Sequence, residues 1–139
     1  MVPTPATTPT AAHRVVLVAH DPALVRWLQP SLANAGFAVR VAGDGRRAAE
    51  LTREQRPDLL VIERQLPDVD GLALGQLLRA QAHVPIMIVA AHATPDDTVA
   101  ALDRGADDVL TEQCSPGELI ARMRSILRRC ARPRPVPPE

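Results

Sequence analysis

Lysine is absent from all 139 residues, so the 16 basic residues are all arginine, and they balance 16 acidic ones. With no net charge, no global field draws the chain to nucleic acid or to an anionic membrane. Cysteine occurs only as Cys114 and Cys130, with no CxxC pair. That excludes a disulfide framework and points to two free thiols in a reducing, cytoplasmic setting. No apolar run approaches membrane-spanning length, and the start, MVPTPATTPTAAH, lacks both a charged and an apolar signal-peptide region. Neither a membrane partner nor a secretory signal is expected. Aromatic side chains stop at Phe37.

What is present fits one domain. Residues 1–13 are rich in Pro, Thr and Ala, and residues 132–139 are rich in proline, so both read as tails around a domain spanning 14–131. Within it, short apolar runs (RVVLVA, FAVRVA, DLLVIE, PIMIVA, DDVL) alternate with helix-length segments, giving five strand–helix units. This alternation predicts an α/β fold: a doubly wound, five-stranded parallel sheet with helices on both faces. Asp21-Pro22, Thr94-Pro95 and Ser115-Pro116 each place a capping side chain before a proline, and Glu118 is expected to complete a capping box with Ser115. The last helix carries Leu119, Ile120, Met123, Ile126 and Leu127 at helical spacing, which reads as core. Ligands of such sheets bind beyond the carboxyl ends of the strands. The positions to watch are therefore Ala19-His20-Asp21, Glu63, Ala90-Ala91-His92 and Glu112.

From about Arg14 to Arg129 the chain resembles a response-regulator receiver domain. The segments carrying the resemblance are HDPALVRWL, RPDLLVIERQLPDVDGLALGQLLR, VPIMIVAA, ALDRGADDVLTE and SPGELIARMRSILRR. The last two look most like the OmpR-type branch, in which a winged-helix DNA-binding domain follows. The resemblance implies a CheY-like, flavodoxin-like (βα)5 fold and aspartyl-phosphate chemistry. That chemistry needs a nucleophilic carboxylate, an acidic pair for Mg²⁺, and a lysine and a hydroxyl for the transferred oxygens. Position by position, the acidic pair falls on Ala19 and His20, the nucleophile on Glu63, the hydroxyl on Ala90 and the lysine on Glu112. Val109 stands where the family has its switch aromatic. Glu112-Gln113 replaces a Lys-Pro turn, so a trans bond and a reshaped loop around Cys114 are expected. The sequence is thus identified as an atypical pseudo-receiver.

Two readings stand for Glu63: a permanent imitation of the phosphorylated state, or a solvated carboxylate retained at a decayed site. Glu63 is also a candidate neighbour for His20. His20, His92, Glu63 and Glu112 follow the same strand edge and mix zinc-ligand types, but without local ligand spacing no metal is expected. No cofactor is expected, and no nucleophile, phosphate-binding glycine loop or oxyanion donor supports an enzyme. Cys114 has no basic neighbour in sequence to activate it.

The resemblance also implies a dimer face formed by the fourth helix, fifth strand and fifth helix. It comprises Thr98, Val99, Leu102, Asp103, Asp107, Asp108, Glu118, Arg122 and Arg124. Asp103 with Arg124, and Asp107 or Asp108 with Arg122, match the family's acid–base pairs, whereas Thr98 removes the base opposite Glu118. The expected function is a phosphorylation-independent receiver that homodimerises as the regulatory part of a transcription factor. DNA would be bound only through a further C-terminal domain; either the sequence stops within the linker to it, or the receiver stands alone. The alternatives are a small-molecule effector pocket around Ala19, His20, Ala90 and Glu112, and an adaptor for a protein partner.

Overall fold

The computed structural model describes residues 12–130. The expected tails at 1–13 and 132–139 therefore fall almost wholly outside the described residues. Ten elements alternate along the chain: β1 (Arg14–Val18), α1 (Pro22–Asn34), β2 (Ala38–Ala42), α2 (Gly45–Gln55), β3 (Leu59–Glu63), α3 (Gly71–Ala82), β4 (Ile86–Ala90), α4 (Pro95–Asp103), β5 (Asp108–Thr111) and α5 (Pro116–Cys130). The five strands form one parallel sheet in the order β2-β1-β3-β4-β5. The fold is the α/β arrangement expected from the sequence.

Side chains alternate across a strand, so a strand covered on both faces must be apolar at every position. β4 meets this condition throughout and β3 as far as Glu63, and both are buried along their whole length. One face, with Leu17, Val61, Met87 and Val89, packs under α1 and α5 through Leu28, Leu32, Leu119 and Met123. The opposite face, with Val18, Leu60, Ile62 and Ile88, packs under the other helices through Leu51, Leu72, Leu78 and Ala101. Each such side chain contributes about 1.5–3 kcal/mol by leaving water. The edge strand β2 is exposed at alternate positions, and Arg40 is accommodated there.

Helix starts are capped as expected at Asp21 and Thr94, with proline in the first turn. Ser115 Oγ accepts the Glu118 N–H at 3.0 Å. The reciprocal half of the box expected there is not made, because the Glu118 carboxylate turns to Arg122 at 3.2 Å. A complete capping box forms instead on α4, between Thr94 and Asp97. Asp44 and Asp70 cap α2 and α3.

Gly71 lets α3 start against the end of β3. Its N–H donates to the Arg64 carbonyl at 2.7 Å, and a Cβ at this position would overlap the Glu63 backbone carbonyl oxygen. Backbone cannot yield as a side chain can. Gly71→Ala is expected to cost about 1–3 kcal/mol or more, whereas Gly117→Ala, whose nearest neighbour would be Ser115 Oγ at 3.8 Å, should be neutral or slightly stabilising. Denaturant midpoints of the two variants check the contrast; equal midpoints would contradict it.

Candidate functional site at the carboxyl edge of the sheet

Parallel register brings the strand ends to one level. Val18 pairs with Ile62, Glu63 with Val89 and Ala90 with Thr111. The ladder continues past the strands, since the N–H groups of Ala19, Arg64 and Glu112 donate to the carbonyls of Ala42, Val89 and Ala90 at 2.9, 2.8 and 3.0 Å. Residues after β1, β3, β4 and β5 therefore share an edge.

Glu63 is the buried acid of this edge, with 8% of its surface exposed. Its Oε1 accepts two backbone N–H groups, from His20 at 2.7 Å and Asp21 at 3.2 Å. The extra methylene of glutamate is thus used to reach back to the loop that opens α1. Asp21 caps that helix, its Oδ1 accepting the Ala23 N–H at 3.0 Å. The positive end of α1 and its free amides provide a favourable setting for these carboxylates.

Glu112 completes a group. Oxygens of Asp21, Glu63 and Glu112 all lie within 4.8 Å of one another. Burial pushes the Glu112 carboxyl above its ordinary range, the Glu63 and Asp21 charges push it further the same way, and His92 opposes them. The nearby arginine does not relieve the cluster: Arg64 Nε binds Asp70 at 2.7 Å. Burial pushes Asp70 upward, but the Arg64 hydrogen bond and the Ala73 N–H outweigh it and hold that carboxyl below its usual range.

The other expected site residues are distributed unevenly. Ala19 and Ala90 are buried methyl groups, 2% and 5% exposed. His20 meets Glu63 through its backbone, and its residue is exposed, as is His92. His20, His92 and Glu63 are accordingly not the group that converges; among the described residues it is Asp21, Glu63 and Glu112. Asp21, placed at this edge from the sequence, is turned toward the end of β3 by its capping of α1. Val109 is half-buried against the second core face. The described residues contain no cis peptide, and the segment after β5 is a turn closed by the Cys114 N–H on the Thr111 carbonyl at 3.1 Å. Burial pushes the Cys114 thiol up, the Glu118 charge adds to this and Arg122 opposes it, so the thiol is not activated.

The magnesium ion implied by the family resemblance requires carboxylates at positions 19 and 20. A buried methyl and an exposed histidine stand there, so the residues present do not reproduce that donor set.

The profile described as "Response regulator receiver domain" matches residues 15–124, and the chain belongs to that family. Its similar proteins include the DNA-binding response regulator MtrA of Mycolicibacterium smegmatis, 39% identical over 120 residues covering 86% of this chain and 53% of MtrA. The response regulator MprA of Mycolicibacterium vanbaalenii is 39% identical over 117 residues, covering 84% of this chain and 51% of MprA. The chain thus spans about half the length of these relatives. Among solved structures, the Francisella response regulator 1452 receiver domain superposes with a TM-score of 0.79 at 28% identity, covering 85% of this chain and 98% of that one. The BeF3-activated N-terminal receiver domain of Klebsiella pneumoniae RstA does so with a TM-score of 0.79 at 30% identity, covering 84% and 99%. Across the described residues, no helix is long and apolar enough to cross a membrane.

A carboxyl whose pKa is raised by folding binds its proton more tightly in the native state, so ionised Glu112 costs stability, and the cost is relieved as pH falls. Glu112→Gln is expected to raise the melting temperature by a few degrees at pH 7, with the gain fading toward about pH 4, where glutamate is protonated in any case. A gain that does not change with pH in thermal unfolding would contradict this origin.

Proposed function

We propose that this chain is a phosphorylation-independent receiver that homodimerises through α4, β5 and α5. In this reading it serves as the regulatory part, spanning 14–131, of a DNA-binding transcriptional regulator. The observation that carries it is the charge at position 112. A phosphoryl group entering this edge would meet three carboxylates, no acidic pair at 19 and 20, no hydroxyl at Ala90, and an arginine already committed to Asp70. Transition-state charge on a phosphoryl group calls for the opposite field. MtrA is named as a DNA-binding response regulator, which supports a DNA-directed role exercised through a domain outside this sequence.

Surface chemistry supports the dimer. Val99 and Leu102 on α4 are large apolar residues that are 55% and 42% exposed. Asp103 and Arg124 are exposed and make no ion pair with each other within the chain; Arg124 donates to the Ala35 carbonyl at 3.4 Å, which leaves its charge without an acid. Arg122 joins Asp108 and Glu118 at 3.2 Å each. Within the chain, Asp107 instead meets Arg79 on α3 and accepts the Ile86 N–H at 2.8 Å. Within the chain Asp107 thus ties α3 and β4 together. Half-buried Thr98 supplies no charge opposite Glu118. Such exposed pairs set register more than affinity.

Light scattering after size exclusion, without a phosphodonor, is expected to show a dimer that Asp103→Arg dissociates by about tenfold or more. Incubation with acetyl phosphate and Mg²⁺ should leave both the intact mass and the dimer constant unchanged. A phosphoryl adduct on Glu63, or a monomer at all concentrations, would overturn the proposal.

A further inference from the structure

The charges of this chain balance in number but not in place. Helices that connect parallel strands run back against them, so helix ends and strand starts gather at the amino edge of the sheet, opposite the three carboxylates. Arg53 lies in the last turn of α2, Arg56 caps its end, and Arg128 and Arg129 lie in the last turn of α5. All four are exposed, and none makes an ion pair among the described residues. The negative end of a helix favours such cations one at a time, but it does not remove the acids that would answer them. The acids nearest this band are engaged within the chain: Asp58 accepts the Arg14 N–H at 2.8 Å, Asp107 pairs with Arg79, and Glu54 reaches Arg47 at 3.9 Å. One depression of the surface is lined by Arg53, Arg56, Pro57 and Ala82, and a second by Pro57, Ala82, Leu127 and Cys130. Sharing Pro57 and Ala82, they make one continuous surface from the end of α2 to the end of α5. The sequence stays basic there, with six arginines and no acid between Leu119 and Pro138.

We propose that this amino edge is an auxiliary DNA contact, in which Arg53, Arg56, Arg128 and Arg129 grip the phosphates of a duplex without reading its bases. A guanidinium meets phosphate through parallel N–H donors, and duplex DNA offers one negative charge per about 1.7 Å of its axis. Contacts of this kind position a protein and add salt-sensitive affinity, while sequence is read elsewhere. The choice of DNA over another polyanion rests on the DNA-directed role proposed above; the separation of charge does not.

Fluorescence anisotropy of a labelled duplex of about 20 base pairs, titrated with this chain at low salt, is expected to rise to saturation whatever the base sequence. The association constant should fall with salt at a log–log slope of about −3 to −4, the value for four phosphate contacts. Arg128→Gln with Arg129→Gln, confirmed folded by circular dichroism, should bring the slope to about −2, and Arg53→Gln with Arg56→Gln should do the same. Arg46→Gln, exposed at the opposite edge beside Asp68, should leave the slope unchanged. Three results would overturn the proposal. They are no rise up to about millimolar protein; a slope lowered as much by Arg46→Gln as by the paired variants, meaning a diffuse field only; and displacement by poly-L-glutamate as readily as by unlabelled duplex, meaning an acidic protein partner. A dimer seen by light scattering beside any of these results would leave the dimerisation reading standing, so the two fail separately.

Discussion

Parallel pairing of β1, β3, β4 and β5 commits the residue after each strand to the same edge of the sheet, whatever that residue is. The pairing is held by two apolar faces that bury β3 and β4 completely, so a polar substitution at the edge cannot be relieved by shifting a strand; a slip of one residue would send every side chain to the opposite face and undo its packing. The core therefore sets where Ala19, Glu63, Ala90 and Glu112 stand. Their chemistry follows from that placement.

Electrostatics then separates this edge from one that handles phosphate. Carboxylate oxygens within 4.8 Å of one another repel by about 3 kcal/mol or more at an effective dielectric constant near 20, less where water reaches them. Each N–H that Glu63 accepts returns about 1.5–3 kcal/mol as a hydrogen bond to a charged group. The backbone of the β1–α1 loop thus supplies donors to Glu63, but it does nothing for Glu112, which faces two negative neighbours that His92 opposes. Relief has to come as a proton or as a cation. The same balance explains why Arg64, one residue from Glu63, leaves the site chemically unchanged: its guanidinium is better satisfied by the Asp70 cap of α3.

The fold was legible because its signals are local and repeated: apolar runs at strand length, proline-marked helix starts, and an α5 stripe whose Leu119, Met123, Ile126 and Leu127 are all buried. The site was legible in composition but less so in contact. Glu63 and Glu112 could be placed at the edge from the sequence, whereas His20 and His92 carried ligand chemistry that their exposed positions do not use. Asp21 joins the acids because capping α1 aims its loop at Glu63, a consequence of backbone geometry that spacing alone does not express. Side-chain choices between equivalent partners were hidden for the same reason. Glu118 selects Arg122 over its own helix cap, and within the chain Asp107 meets Arg79. Each choice depends on the distance between elements far apart in sequence.

The convergence of three carboxylates is the centre of this account, and carboxyl-carbon NMR titration of Glu112, with and without its Glu63 neighbour, measures it directly. The account predicts that Glu112 titrates above the ordinary glutamate range and that Glu63→Gln moves it back toward that range. A Glu112 titration at the ordinary glutamate value, unchanged by Glu63→Gln, would contradict it.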